Sequence, residues 1–194
     1  MQREDEGKNK KDQGVKMKLV TFNVNSLKAI KQYYKDIHKL TFNEFLSQVL
    51  EADIICFQET KINSQDKLDQ DFLYLPDYES HFAFHKKYHK IGYSGTATFV
   101  RKALPIKAFQ VETSFTGVYE KCTQGPLSHY ADLSQKFKDE ELCEIDCEGR
   151  VVITDHCLFI LFNVYFPNDG LDENRLVFKM KFYRALQLRA EVSF

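Results

Sequence analysis

The sequence predicts an α/β fold, on three observations. Near the start, a strand-type run (18–25), a helix with a capping signature (42–51) and a second apolar strand (53–57) follow one another. Further on, short β-type runs alternate with turn residues, and the last periodic segment, 174–191, reads as an amphipathic helix. Alternation of this kind is the pattern of sheets covered by helices.

The first strand rests on KLVTFNVN (18–25), rich in β-branched and aromatic residues, whose alternation puts Leu19, Thr21 and Asn23 on one face. The helix at 42–51 rests on Thr41 with Glu44 three positions later, a capping box, followed by Phe42, Phe45, Leu46, Val49 and Leu50 at helical spacing. Directly after it, Asp53-Ile54-Ile55-Cys56-Phe57 is a buried-type strand that ends in the polar cluster Gln58-Glu59-Thr60-Lys61. Two strands joined through a helix commonly enter one sheet with the same ends together, so Asn23 and Glu59 are expected to meet.

Five more strands are expected, largely antiparallel, at 78–84, 96–100, 106–111, 151–154 and 158–165. Gly92, Gly95, Pro105, Gly149 and His156 mark the turns between them. The polar stretch 112–147 is too long for a simple connection and reads as a surface insertion. In 174–191, Leu176, Val177, Met180, Tyr183 and Ala185 supply the apolar side, with Lys179, Lys181, Arg184 and Arg189 as its cations.

A chain of 194 residues, 43% hydrophobic and 28% charged, has the size and composition of one soluble globular domain. Its longest apolar stretch, 158–162, is far below the roughly 20 residues needed to cross a bilayer, which excludes a helical membrane protein. Residues 1–16 mix Lys and Arg with Asp and Glu and have almost no apolar side chains. They read as a disordered leader, neither secretory signal nor transit peptide, and Met17 is a candidate native start. Five cysteines, an odd number and several in apolar runs, point to a reducing compartment. Cys143, Cys147 and His156 match no zinc framework. A net charge of −1 argues against wholesale coating of nucleic acid and leaves room for a local basic patch.

Three strand ends carry candidate chemistry. Glu59 sits where an apolar strand emerges, a rigid seat suited to a Mg²⁺ ligand, since that ion favours one or two carboxylates plus waters and phosphate oxygens. Asn23 can orient a ligating carboxylate or a bound phosphate. Tyr165 ends another apolar strand, where its phenol can donate to a phosphate oxygen or a developing oxyanion. In isolation each is more often an ordinary strand-end residue. The segment 85–95 interleaves Lys86, Lys87 and Lys90 with tyrosines on a glycine-bearing loop, which suits either DNA phosphates or a solvated hairpin.

Together, TFNVN (21–25), IICFQETK (54–61), GYSGTATF (92–99), CEGRVV (147–152) and NVYFPN (163–168) resemble, in this order, the exonuclease III family of AP endonucleases, within the endonuclease/exonuclease/phosphatase superfamily. FKDEEL (137–142) and RLVFKMKFYRALQLRAE (175–191) look most like its second, APN2-type eukaryotic branch. The resemblance implies a two-sheet α/β sandwich and a DNA repair nuclease. Such an enzyme hydrolyses phosphodiesters at abasic sites and trims 3′ ends with Mg²⁺, or alternatively Mn²⁺. It implies that Glu59 binds the metal, that Asn23 completes the metal and phosphate pocket, and that Tyr165 is the active-site tyrosine. The DNA-facing set is then Asn168, Tyr93, Lys61, Lys86, Lys87 and Lys90.

It further implies an abasic or 3′-blocked duplex as partner, no membrane, a sliding clamp only in a longer form, and the nucleus as compartment, with mitochondrion or cytoplasm as alternatives. Ser26 and Asn25 stand where the family usually has glycine and often has aspartate. The family's GDxN strand and late Asp-His pair, which position the attacking water, have no counterpart in the sequence. The chain is therefore expected to be a leader (1–16) followed by the amino-terminal half of such a domain (17–194), truncated and inactive by itself. The competing reading is a non-catalytic DNA-binding or regulatory remnant. Phosphatases, sphingomyelinases and deadenylases of the superfamily share the metal glutamate, but GYSG and EGRVV favour the DNA branch.

Overall fold

A computed structural model of the chain describes residues 16–62, 68–86, 92–104, 107–114, 116 and 131–191. Two sheets face one another, each backed by helices on its far side. The first has the order β1-β2-β4-β3, built from Leu19–Asn23 (β1), Ile54–Gln58 (β2), Tyr78–Ala83 (β3) and Thr96–Arg101 (β4). β1 and β2 are parallel, with Asn23 opposite Gln58, and the other pairs are antiparallel.

The β1–β2 crossover is largely helical. Leu27–Tyr33 (α1) starts with the Ser26 hydroxyl accepting from the Ala29 amide at 3.3 Å and winds on as a π-helical turn, Tyr34–His38. Phe42–Glu44 (α2) has the expected capping box with Thr41 and continues as a π-helical stretch, Phe45–Leu50. Its Phe42, Phe45 and Leu46 pack on Ile55, Phe57 and Phe99 of the sheet, with Leu27 beside them. Each such side chain contributes about 1.5–3 kcal/mol by leaving water, so the helix is fixed on the sheet. Gln70–Leu73 (α3) adds Phe72 to the same core.

The second sheet is antiparallel, β5-β6-β7, from Gln110–Glu112 (β5), Val151–Asp155 (β6) and Ile160–Val164 (β7). Its outer face packs Val151 and Ile153 against three helices, Ala131–Lys136 (α4), Asp139–Asp146 (α5) and Glu173–Glu191 (α6), through Leu133, Leu142, Ile145, Phe178 and Phe182. Between the sheets, Ile54, Cys56, Val100 and Leu104 make an apolar contact with Leu161. Toward the far end of β2 this gives way to a polar one. There the Gln58 amide donates to Asn163 Oδ1 at 2.8 Å, and Asn163 Nδ2 donates to Ala97 O at 2.9 Å and Thr98 Oγ1 at 3.1 Å.

The expected elements appear, with four corrections. The strand expected at 106–111 is Gln110–Glu112; residues 107–109 precede the ladder, joined to it by Phe109 N donating to Asp155 O at 2.7 Å. The strand expected at 158–165 begins at Ile160, because residues 156–159 form a tight turn in which His156 N donates to Phe159 O at 3.0 Å. Residues 131–146, read as part of a surface insertion, form α4 and α5, whose Leu133, Leu142 and Ile145 are buried. Few apolar residues among many charges hide such a face from a compositional reading. On α6, Leu176, Val177, Met180 and Tyr183 are exposed, and the buried row is Phe178, Phe182, Ala185 and Arg189.

Much of the leader, residues 87–91 with Lys87 and Lys90, and residues 117–130 lie outside the described residues. Among those described, no helix is long and apolar enough to cross a membrane.

Candidate active site

The parallel pairing of β1 and β2 brings their polar ends to one edge. Asn23 Nδ2 donates to Glu59 Oε1 at 2.7 Å, the meeting expected from the strand-helix-strand order. Tyr165 reaches the same oxygen from the second sheet, its hydroxyl donating at 3.0 Å. Lys61 Nζ lies 3.8 Å from the other oxygen, Oε2, and donates to Asn25 Oδ1. Asn23, Glu59, Tyr165 and Lys61 thus form one cluster at the mouth between the sheets.

The backbone of this edge is unusual. Asn25, Glu59, Lys61 and Ser94 all have positive φ, from 54° to 58°. Non-glycine residues adopt the left-handed region rarely and at a cost, and such positions concentrate at functional sites. What holds the turn after β2 is the GYSG loop. Thr60 N donates to Gly95 O at 3.0 Å and Lys61 N to Ser94 O at 2.9 Å. Gly95 has φ +87°, and a Cβ there would lie 2.3 Å from Thr60 Oγ1, so only glycine allows this approach. The QETK and GYSG motifs are therefore two halves of one support for Glu59.

Electrostatics keep the carboxylate charged. The Asn23 amide, then the Tyr165 hydroxyl and the nearby Lys61 and Arg150 charges, hold Glu59 below its ordinary value against the opposing effect of burial. Tyr165 moves the other way. Burial, and then its bond to Glu59, raise the phenol above its ordinary value, so it is a neutral donor at physiological pH.

One partly exposed carboxylate with open oxygen lone pairs fits a magnesium ion, which is usually held by few carboxylates and completed by water and phosphate oxygens. Glu59 is the residue that would hold it. Asn23 supplies orientation, since its Nδ2 donates to Glu59 while its Oδ1 accepts from Asn25 N at 3.0 Å. Among the described residues, no three His, Cys, Asp or Glu side chains gather as a metal cluster.

Of the remaining expected residues, Asn168, Lys86 and Tyr93 are among those described. Asn168, just past β7, is exposed and its Oδ1 accepts from Gly170 N at 3.1 Å, an Asx turn. Lys86 anchors its strand end by donating its backbone N–H to Cys147 O at 2.7 Å. Tyr93 is tied to the site through residues not assigned from sequence. Its hydroxyl accepts from Arg150 at 2.8 Å and from Arg175 at 3.2 Å. Arg150 and Glu148 flank Gly149 in the EGR motif, and their i, i+2 spacing at a strand entrance was the available sign that both face the same side. Gln58 and Asn163 belong to the IICFQETK and NVYFPN motifs, but no local pattern marks them as a contact between the sheets.

Residues 20–134 match the Endonuclease/Exonuclease/phosphatase family. Over 192 residues the chain is 34% identical to DNA-(apurinic or apyrimidinic site) endonuclease 2 of Homo sapiens, covering 90% of this chain and 35% of that protein. It is also 34% identical, over 187 residues, to the protein of the same name from Schizosaccharomyces pombe, with 90% and 34% covered. The chain thus spans about a third of the length of the curated relatives it matches. Its structure is similar to the APE2 catalytic domain of Xenopus laevis, with a TM-score of 0.71 and 34% identity over 91% of this chain and 54% of that one. The two-sheet α/β architecture expected from the motifs is shared over that span. With more than half of its residues inside the family match and its motif residues converging on one strand-end site, the chain belongs to the endonuclease/exonuclease/phosphatase family.

Proposed function

We propose that this chain carries the metal- and phosphate-binding part of a Mg²⁺-dependent DNA repair phosphodiesterase acting at abasic sites and 3′ ends. The observation that carries it is the Glu59 carboxylate, held on one oxygen by Asn23 and Tyr165 at the open end of two strands. When bound there, the metal supplies polarisation of the scissile phosphate and neutralises charge. Asn23 fixes the rotamer of Glu59. Tyr165, a neutral donor, is placed to hydrogen-bond a phosphoryl oxygen as its charge grows. Lys61, beside Glu59, offers a cation to the phosphate backbone. The names of the relatives support an abasic-DNA substrate, and the nucleus is the compartment that fits it.

The test uses an abasic-site duplex, Mg²⁺ and the domain completed by the half that carries the water-positioning residues. EDTA-sensitive incision, lost in Glu59→Gln, is the expected signature of the reaction. Duplex binding without incision would instead favour the non-catalytic DNA-binding reading.

DNA contact by the loop that runs from His85 to Tyr93 has its own test. Replacing Lys86, Lys87 and Lys90 with alanine is expected to weaken binding about equally across sequences. The plot of log affinity against log salt should flatten by up to about one unit of slope for each lysine that meets a phosphate. An unchanged slope would return the loop to a solvated hairpin.

A further inference from the structure

Beneath Tyr165 lies a charged network that the proposed roles do not use. Arg150 is 2% exposed and Glu148 4%, both at the entrance to β6. Arg150 Nε donates to Glu148 Oε2 at 2.6 Å, one terminal nitrogen donates to Tyr165 O at 3.1 Å, and the other to the Tyr93 hydroxyl at 2.8 Å. Tyr165 N returns a bond to Arg150 O at 2.8 Å, continuing the β6–β7 ladder beyond Val151 and Val164. The guanidinium carbon stands 4.7 Å from the centre of the Tyr165 ring and 5.4 Å from that of Tyr93. From α6, Arg175 grips both oxygens of Glu148, at 2.7 and 3.1 Å, and also donates to the Tyr93 hydroxyl at 3.2 Å. Burial pushes the Glu148 carboxyl up, but the two guanidinium groups outweigh it and hold the group below its ordinary value.

A planar guanidinium with donors in a fixed fork meets several partners at set angles, which an ammonium does not. Every nitrogen of Arg150 is engaged, and two of its partners are the tyrosines at the site. Its own orientation is set by Glu148, and that of Glu148 by Arg175. A buried charge pair of this kind is a poor source of net stability, because desolvation opposes the attraction; specificity of geometry is a role such pairs can serve.

We infer that Arg150 is a positioning residue that, through the Glu148–Arg175 lock, holds Tyr165 and Tyr93 at one fixed separation. The inference rests on the proposed reading of Tyr165 as the phosphate donor and Tyr93 as a DNA contact. Cleavage chemistry and DNA contact are thereby built on one rigid unit reaching from α6 to Glu59. The consequence is that a change at Arg175, whose hydrogen bonds go to Glu148 and Tyr93, alters Tyr165.

The test labels the tyrosines of the full chain with an NMR-active carbon at Cζ and assigns two signals with Tyr93→Phe and Tyr165→Phe. In the absence of DNA, both signals are expected to move in Arg150→Lys and in Arg175→Gln, and neither in Arg184→Gln, an exposed change on the same helix. In single-turnover incision of an abasic duplex by the completed domain, Arg150→Lys should lower the rate on the order of 10²-fold, the cost of a misplaced group, and affinity by far less. Circular dichroism checks folding. Should Arg150→Lys unfold, Arg175→Gln decides the matter, since its side chain is 22% exposed. A Tyr165 signal unmoved beyond the Arg184→Gln control in the folded variants overturns the positioning role, even if the chain incises DNA. A moved Tyr165 signal in a chain that does not bind DNA supports the lock and counts against the proposed function instead.

Discussion

In the domain completed by its second half, Glu59→Gln is expected to lower Mg²⁺-dependent incision on the order of 10²- to 10³-fold and leave the melting temperature nearly unchanged. Glutamine has the same shape and can still accept from Asn23 and Tyr165, so the strand end keeps its geometry. What disappears is the charge that a magnesium ion requires. The stability effect is small because the ion pair lost, with Lys61 at 3.8 Å, is partly exposed on both sides, and such pairs contribute little. Binding can be read without turnover. Mn²⁺ should broaden the side-chain amide signal of Asn23 in the wild-type chain and not in the variant. The pH dependence has a definite sign. The folded-state value of Glu59 lies below its ordinary 4.5, so the carboxylate remains charged throughout the neutral range and is lost only in stronger acid. A fall in incision between pH 7 and 5 would therefore belong to another group. Near wild-type rates for Glu59→Gln at low Mg²⁺ would end the ligand assignment.

The Asn23–Glu59 half of this site was legible in the sequence because local pattern determines it. An apolar run, a capped helix and a second apolar run commonly make a parallel pair, which brings the polar residues at the two ends together. Tyr165 was legible as a strand-end phenol and, through the NVYFPN motif, as the active-site tyrosine, but not as a partner of Glu59. Its contact with Glu59 spans 106 positions and depends on how one sheet lies on the other, which no local periodicity encodes. The same limit hid Gln58–Asn163, a bridge between sheets, and the Arg150 network, which draws on β6, β7, α6 and the GYSG loop at once. The glycines of GYSG and EGR were visible as turn signals, yet their physical reason is close approach. A Cβ on Gly149 would fall 2.3 Å from the Phe84 carbonyl carbon. In α6 the periodicity itself misled. Apolar residues occupy two sides of the helix, and the buried side is the one that includes an arginine.

That arginine sets the largest expected loss of stability: Glu112→Ala should cost about 3–5 kcal/mol. Glu112 and Arg189 form an ion pair between β5 and the last turns of α6, with side chains 0% and 1% exposed. Taking both charges from water is expensive, and their mutual attraction offsets that cost only while both are present. Removing the carboxylate takes the Glu112 partner from a guanidinium that is 1% exposed and leaves a small cavity beside it. Against a total stability of typically 5–15 kcal/mol the loss is severe, and α6 is the helix that backs β6 and β7 and carries Arg175. Urea unfolding of the full chain, wild type against variant, measures it. The double replacement Glu112→Leu with Arg189→Met removes both charges while keeping volume, and is expected to recover most of the stability or exceed the wild type. A loss below about 1 kcal/mol for Glu112→Ala would mean that water reaches the pair in solution. A double replacement as unstable as the single one would mean that the cost comes from packing rather than from an unbalanced charge.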